Sequence, residues 1–220
     1  MTQVVPLAEA RDDTIFGSKA VGLGEASREG LPLPPGVALS GDIVEAVASG
    51  EEDAIAEVLK AAGALQAPFA VRSSAVDEDG ASASFAGQHL TLLNVPSADA
   101  VNDAVREVWW SANSDSAITY RQRVGLFRRP SVGVVVQALL DPDSAGVMFT
   151  RNPIDGADER VVEASWGLGE AVVSGRVQPD VLRLDAQTGR VLDATIADKR
   201  VRITADDHEE RPVEEHRRRS

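Results

Sequence analysis

The sequence predicts a mixed α/β (α+β) fold, and three observations predict it. Apolar residues between 42 and 62, and again between 101 and 110, recur at three- and four-residue steps, the period of helices with one buried face. Beyond residue 130 the period changes to continuous β-branched runs and alternating segments, which read as strands. With 43% apolar residues in 220, the chain has enough to bury a core, as one large domain or two small lobes.

In chain order, "FGSKAVGLGEASREGLPLPPGVALS" (16–40) opens rich in glycine, continues with Ala20, Leu23 and Ala26, and passes through a proline-stiffened link. It reads as loop, helix, turn and short strand. Residues 42–62 read as a helical pair or one broken helix, with Gly50 as the break and Gly63 as the C-cap. Strands are expected at 69–72 and 89–95, an amphipathic helix at 101–110, and a second helix at 116–124 ended by Gly125. "SVGVVVQALL" (131–140), "GVMFT" (146–150) and "RVVEAS" (160–165) are three strands, and "DVLRLDAQTGRVLDATI" is two strands around a Gln-Thr-Gly turn. The expected division is a lobe over 1–66, a second over 67–205, and a charged tail over 206–220, disordered because it lacks apolar periodicity.

Charge and composition narrow the function. A net charge of -13 argues against nucleic acid and anionic membrane surfaces, which need clustered basic residues. An anionic ligand would have to be held by a few placed cations, and the lysines are only Lys19, Lys60 and Lys199, beside nineteen arginines. With no cysteine, disulfides, thiolate metal sites and a cysteine nucleophile are excluded. The N-terminal residues have no long apolar run, so a cytoplasmic location is expected.

Several motifs carry chemistry, each beside a plainer reading. "GSKAVGLG" (17–24) is either a phosphate cradle, with backbone N–H groups and Lys19 facing an anion, or a plain turn. In "VRSSA" (71–75), Arg72 stands at a strand end as a planar fork suited to phosphate oxygens, or as an ion-pair partner of Asp77, Glu78 or Asp79. "SFAGQH" (84–89) is a loop able to close over phosphates, or a β-bulge. Gln137, the one polar residue in "VVVQALL", either faces a base edge or belongs to a core strand. Glu163 and Glu170 are candidate Mg²⁺ ligands or solvated glutamates. His89, His208 and His216 have no spacing that suggests a metal cluster or a triad.

Taken in order, Gly-Ser-Lys…Gly, Pro-Pro-Gly, Arg-Ser-Ser, Phe-Ala-Gly-Gln, Gly-Val-Met-Phe-Thr…Asn-Pro and Gly-Leu-Gly-Glu resemble the N-terminal ATP-binding domain of one family. That family comprises phosphoenolpyruvate synthase, pyruvate phosphate dikinase and rifampin phosphotransferase, and the resemblance runs from 16 to 199. "FAGQH" leans toward the rifampin branch. The resemblance implies an ATP-grasp-like pair of α/β lobes with ATP in the cleft between them. It further implies that Lys19 and Arg72 contact the phosphates and that the loop bearing Ser84, Gly87 and Gln88 covers them. Gln137, Ala138, Leu139 and Leu140 would line the adenine pocket.

Two departures accompany the match. No Gln-Ser-Arg-Pro element follows Lys199, and no histidine-carrying swivelling domain or acceptor domain is present, so a truncated or split chain is expected. The function expected is that of an ATP-binding phosphotransferase domain, incomplete on its own, which passes a phosphoryl group from ATP to a histidine on a separate domain or chain. The alternative is an inactive nucleotide-binding remnant or interaction module of the same fold.

Overall fold

The computed structural model describes residues 3–75, 90–123, 131–205 and 210–219. The chain divides into two compact units, Met1–Leu139 and Leu140–Ser220.

The first unit is built on a five-stranded antiparallel sheet. Strand β1 (Val4–Pro6) leads through a 3-10 turn at Leu7–Glu9 to α1 (Asp13–Phe16) and α2 (Ser18–Arg28). Then come β2 (Gly36–Leu39), α3 (Gly41–Ser49), α4 (Glu52–Gly63), β3 (Phe69–Ala75), β4 (Thr91–Val95), α5 (Ala98–Ala112), α6 (Asp115–Arg123) and β5 (Val132–Ala138). The spatial order is β1-β2-β5-β3-β4.

β5 lies in the middle, and adjacent residues supply opposite faces of the sheet. Val134 and Val136 join Leu39, Phe69 and Val71 in one apolar cluster with Ile43, Val44 and Val47 of α3, Val58 of α4, and Val101, Val105 and Val108 of α5. Val135 joins Ala38, Leu7, Phe16 and Ala20 on the other face. Burial on both faces is why this strand reads as an unbroken β-branched run rather than an alternating one.

Helix signals explain the elements between. Ser40 and Ser97 cap α3 and α5 through their hydroxyls, accepting from the N–H groups of Ile43 and Ala100. Gly50 closes α3 in the left-handed conformation, φ 85°. α4 runs one residue further than expected, so Ala64 rather than Gly63 is its C-cap.

The second unit holds β6 (Ser144–Phe149), β7 (Glu159–Trp166), α7 (Glu170–Val173), β8 (Asp180–Asp185), β9 (Val191–Thr195), β10 (Val201–Ile203) and β11 (Glu210–Pro212), with a 3-10 turn at Glu215–Arg217. β6-β7-β8-β9 form an antiparallel meander and β10-β11 a separate pair. Gly167 sits at φ 80° against Ile203, where a Cβ would overlap the Ile203 carbonyl oxygen, and this lets the Leu168 N–H reach that same oxygen at 2.8 Å.

Two expectations are corrected. The boundary expected between 66 and 67 is not where the chain divides, because β2 and β3 both pair with β5 in one sheet. The tail expected to be disordered is ordered over 210–219: Val213 is buried, β11 pairs with β10, and the Trp166 indole N–H donates to the Arg217 carbonyl. The pattern there lacks apolar periodicity because one valine and an arginine stacked 4.4 Å over the Trp166 ring secure it. Among the described residues no helix is long and apolar enough to cross a membrane.

Candidate functional site

α2 begins where β3 ends, and the two are bound together by both serines of "RSS". Gly17, at φ 80°, is packed so closely on β3 that a Cβ would overlap the Ser74 carbonyl oxygen. As the N-cap, Gly17 has no side chain to cap the helix, and the Ser74 hydroxyl takes that role from the neighbouring strand, accepting the Ala20 N–H at 3.0 Å. One residue earlier, the Lys19 ammonium donates to the Ser73 carbonyl oxygen at 2.7 Å. Glycine is therefore required at 17 by contact with β3, and "GSKAVGLG" is the entry to a helix rather than a free turn.

Arg72 is half-buried and opposite Val135 in the β3–β5 register, so it emerges on the sheet face that carries α1 and α2. Lys19 and Arg72, separated by 53 positions in sequence, thus belong to one unit and to one corner of it. The strand does not end at Arg72 as expected, because Ser73, Ser74 and Ala75 continue its pairing with β5, so Arg72 is the middle residue of β3. A guanidinium fork there and an ammonium on the carbonyl of the next residue have the chemistry to hold a phosphate, one with directed paired hydrogen bonds and the other as a point charge.

The 137–140 segment is fixed by three prolines. The buried Gln137 amide donates to the Pro34 carbonyl at 3.1 Å, while the N–H groups of Ala138 and Leu139 donate to Pro35 and Pro68 at 2.9 and 2.8 Å. Leu140 is exposed. Ser84, Gly87 and Gln88, together with Asp77, Glu78, Asp79 and His89, lie outside the described residues.

In the second unit Glu163 is half-buried on β7, opposite Val147 and Val181, and Glu170 is exposed in the first turn of α7. Among the described residues no group of three or more His, Asp or Glu is placed to hold a metal ion.

The polar ties of this unit were missed in the sequence. Glu159, only 5% exposed, receives both arms of the Arg183 fork at 2.8 Å and the Asn152 amide at 2.6 Å. These hydrogen bonds, Arg183 foremost, hold its carboxyl below the usual glutamate range, and the same partnership raises Arg183. Lys199, 3% exposed, donates to both carboxylate oxygens of Asp180 at 2.6 Å, and Asp180 also accepts the Ala197 N–H. Glu159 is the first residue of β7, next to Arg160 and with Glu163 further along the same strand, so no local pattern singles it out. Nothing in the local pattern marks Lys199.

Residues 42–220 match the family model described as pyruvate phosphate dikinase, AMP/ATP-binding domain. The chain belongs to this family. Among relatives of this domain, a probable phosphoenolpyruvate synthase of Methanothermobacter thermautotrophicus is 35% identical over 244 aligned positions, covering 90% of this chain and 36% of the relative. A rifampicin phosphotransferase of Streptomyces sp is 45% identical over 157 positions, 69% of this chain and 18% of that protein. The phosphoenolpyruvate synthase of Pyrococcus furiosus is 39% identical over 164 positions, 74% and 20% respectively. The chain thus spans between about a fifth and just over a third of these curated relatives. The AMP/ATP-binding domain match bears out the resemblance read from Arg-Ser-Ser, Asn-Pro and Gly-Leu-Gly-Glu.

Proposed function

We propose that this chain is a nucleotide-binding phosphotransferase domain of the ATP-grasp type, in which Lys19 and Arg72 hold the phosphates of ATP. The observation that carries this reading is the convergence of the two cations at the α2–β3 corner, with Lys19 tied to the residue that follows Arg72. Phosphoryl transfer asks a protein for positioning and charge neutralisation more than for covalent chemistry, and in a chain of net charge -13 those cations must be placed individually. Segment 137–140 lines the adenine, and the 84–88 loop covers the phosphates.

The acceptor is a histidine on a separate domain or chain, by analogy with the phosphoenolpyruvate synthases and rifampicin phosphotransferase that it resembles. Among the described residues the carboxylates do not form a protein cage for Mg²⁺. Glu170 and Glu163 remain the residues proposed to approach a cation carried by the phosphates.

The test is calorimetric titration of ATP with Mg²⁺ into the purified chain. Saturable heat with a Kd below about 1 mM, equivalent to roughly -4 kcal/mol, supports the reading. Absence of heat at that concentration overturns it and leaves the chain an interaction module of this fold.

A further inference from the structure

We infer that Ser74 is a positioning residue: its hydroxyl caps α2 from the neighbouring strand and thereby holds the Lys19 ammonium against the Ser73 carbonyl beside Arg72. The argument starts from Gly17. A helix whose N-cap is glycine leaves its first N–H groups without a side-chain acceptor of their own. Here the acceptor comes from 54 residues away, the fully buried Ser74, whose Oγ receives the Ala20 N–H at 3.0 Å. The close seat of Gly17 on Ser74 permits this approach, since any larger residue at 17 would push the helix start away.

Lys19 lies between Gly17 and Ala20, in the turn pinned by these two contacts. Its long side chain carries four rotatable bonds, and an ammonium held at one point requires a fixed Cα as well as an acceptor. The Ser73 carbonyl supplies the acceptor and Ser74 the fixed Cα.

The neighbouring serine is the internal comparison. Ser73 Oγ is buried and makes no hydrogen bond, so its hydroxyl does none of this work while its backbone carbonyl does. The two side chains point to opposite faces of β3, Ser73 with Val71 toward the α3–α5 cluster and Ser74 with Arg72 toward α2. A serine kept only for fit in the strand would give the same result at either position.

The nucleotide arm of the test rests on the proposed function, and the lysine arm does not. The full chain and its Ser74→Ala and Ser73→Ala variants are acetylated with a limiting amine-reactive ester, and the rate at Lys19 is divided by that at exposed Lys60 in the same sample. Loss of a cap predicts a rise of about fivefold in this ratio for Ser74→Ala and no change for Ser73→Ala. ATP affinity falls by a similar factor only in Ser74→Ala. An unchanged ratio in Ser74→Ala, or an equal rise in both variants, would overturn the inference, whereas a raised ratio with undiminished ATP affinity would uphold the positioning and overturn the role of Lys19 in the proposed function. If the unaltered chain takes up no ATP, the proposed function fails and the lysine ratio alone decides the positioning role. If Ser74→Ala fails to fold, amide exchange in the unaltered chain decides instead. An Ala20 amide as protected as that of Val21 upholds the cap, and an unprotected one overturns it.

Discussion

In Met1–Leu139 the sheet is enclosed by two aliphatic clusters, and β5 is buried on both faces. In Leu140–Ser220 the sheet keeps Met148 and Val191 more than half exposed, and its buried contacts include charged groups: Glu159 with Arg183 and Asn152, and Lys199 with Asp180. Aliphatic packing is non-directional and approximately proportional to area, so a first unit of this kind tolerates volume-conserving changes. A buried ion pair depends on both partners being present, because removing one leaves an unpaired charge out of water.

The largest expected effects test this contrast directly. Asp180→Ala strands the Lys199 ammonium and should cost about 3–5 kcal/mol, with amide protection lost first around Ala197 and Lys199. Ile43→Ala opens a cavity in the α3–α5 cluster and should cost about 2–5 kcal/mol, with protection lost in the first unit. Denaturant melts read at the single-residue level by hydrogen exchange check both. A cost under about 1 kcal/mol for Asp180→Ala would place the second unit's stability elsewhere.

Next in size is Arg72→Lys, which keeps the charge but gives up the planar fork. Losing one charge-assisted hydrogen bond to phosphate is worth about 1.5–3 kcal/mol, or at least tenfold in ATP affinity by calorimetry. Arg106→Lys is the control. Arg106 pairs with the exposed Asp103 on α5, outside the corner, and the change should be nearly silent. Normal binding with a lowered melting temperature in Arg72→Lys would make Arg72 a structural ion-pair residue.

The smallest effect separates the units by pH. The Glu159 carboxyl is held below its usual range, chiefly by Arg183 and Asn152, so it binds protons less readily folded than unfolded. Its stabilisation is present above the ordinary glutamate value, about 4.3, and is lost as pH falls through the depressed folded value. The stability difference between the native chain and Glu159→Gln should therefore be largest near neutrality and shrink below about pH 4, as acid titration of both would show.

The same contrast explains what was legible in the sequence. The first unit's helices and strands follow from periodicity, because nonpolar burial writes itself as spacing: Ile43, Val44 and Val47 on one helix face, Val134, Val135 and Val136 on a strand covered twice. β1 escaped notice because three residues at a sheet edge carry no period. In the second unit the strands were legible, but the ties between them were not, since Lys199 and Asp180 meet across 19 positions and Trp166 and Arg217 across 51. The candidate site falls between these cases. Arg72 and Lys19 were readable as residue types at an expected strand end and a glycine-rich start, but the serine pair that joins them is a tertiary fact.

Amide hydrogen exchange of the full chain with and without saturating ATP tests the central claim most directly, that α2 and β3 form one nucleotide-holding corner. The prediction is joint protection of residues 18–21 and 72–75, since a ligand held by both Lys19 and Arg72 stabilises the pairing of the two elements. Protection of one segment without the other, or of neither while heat of binding is observed, would contradict it.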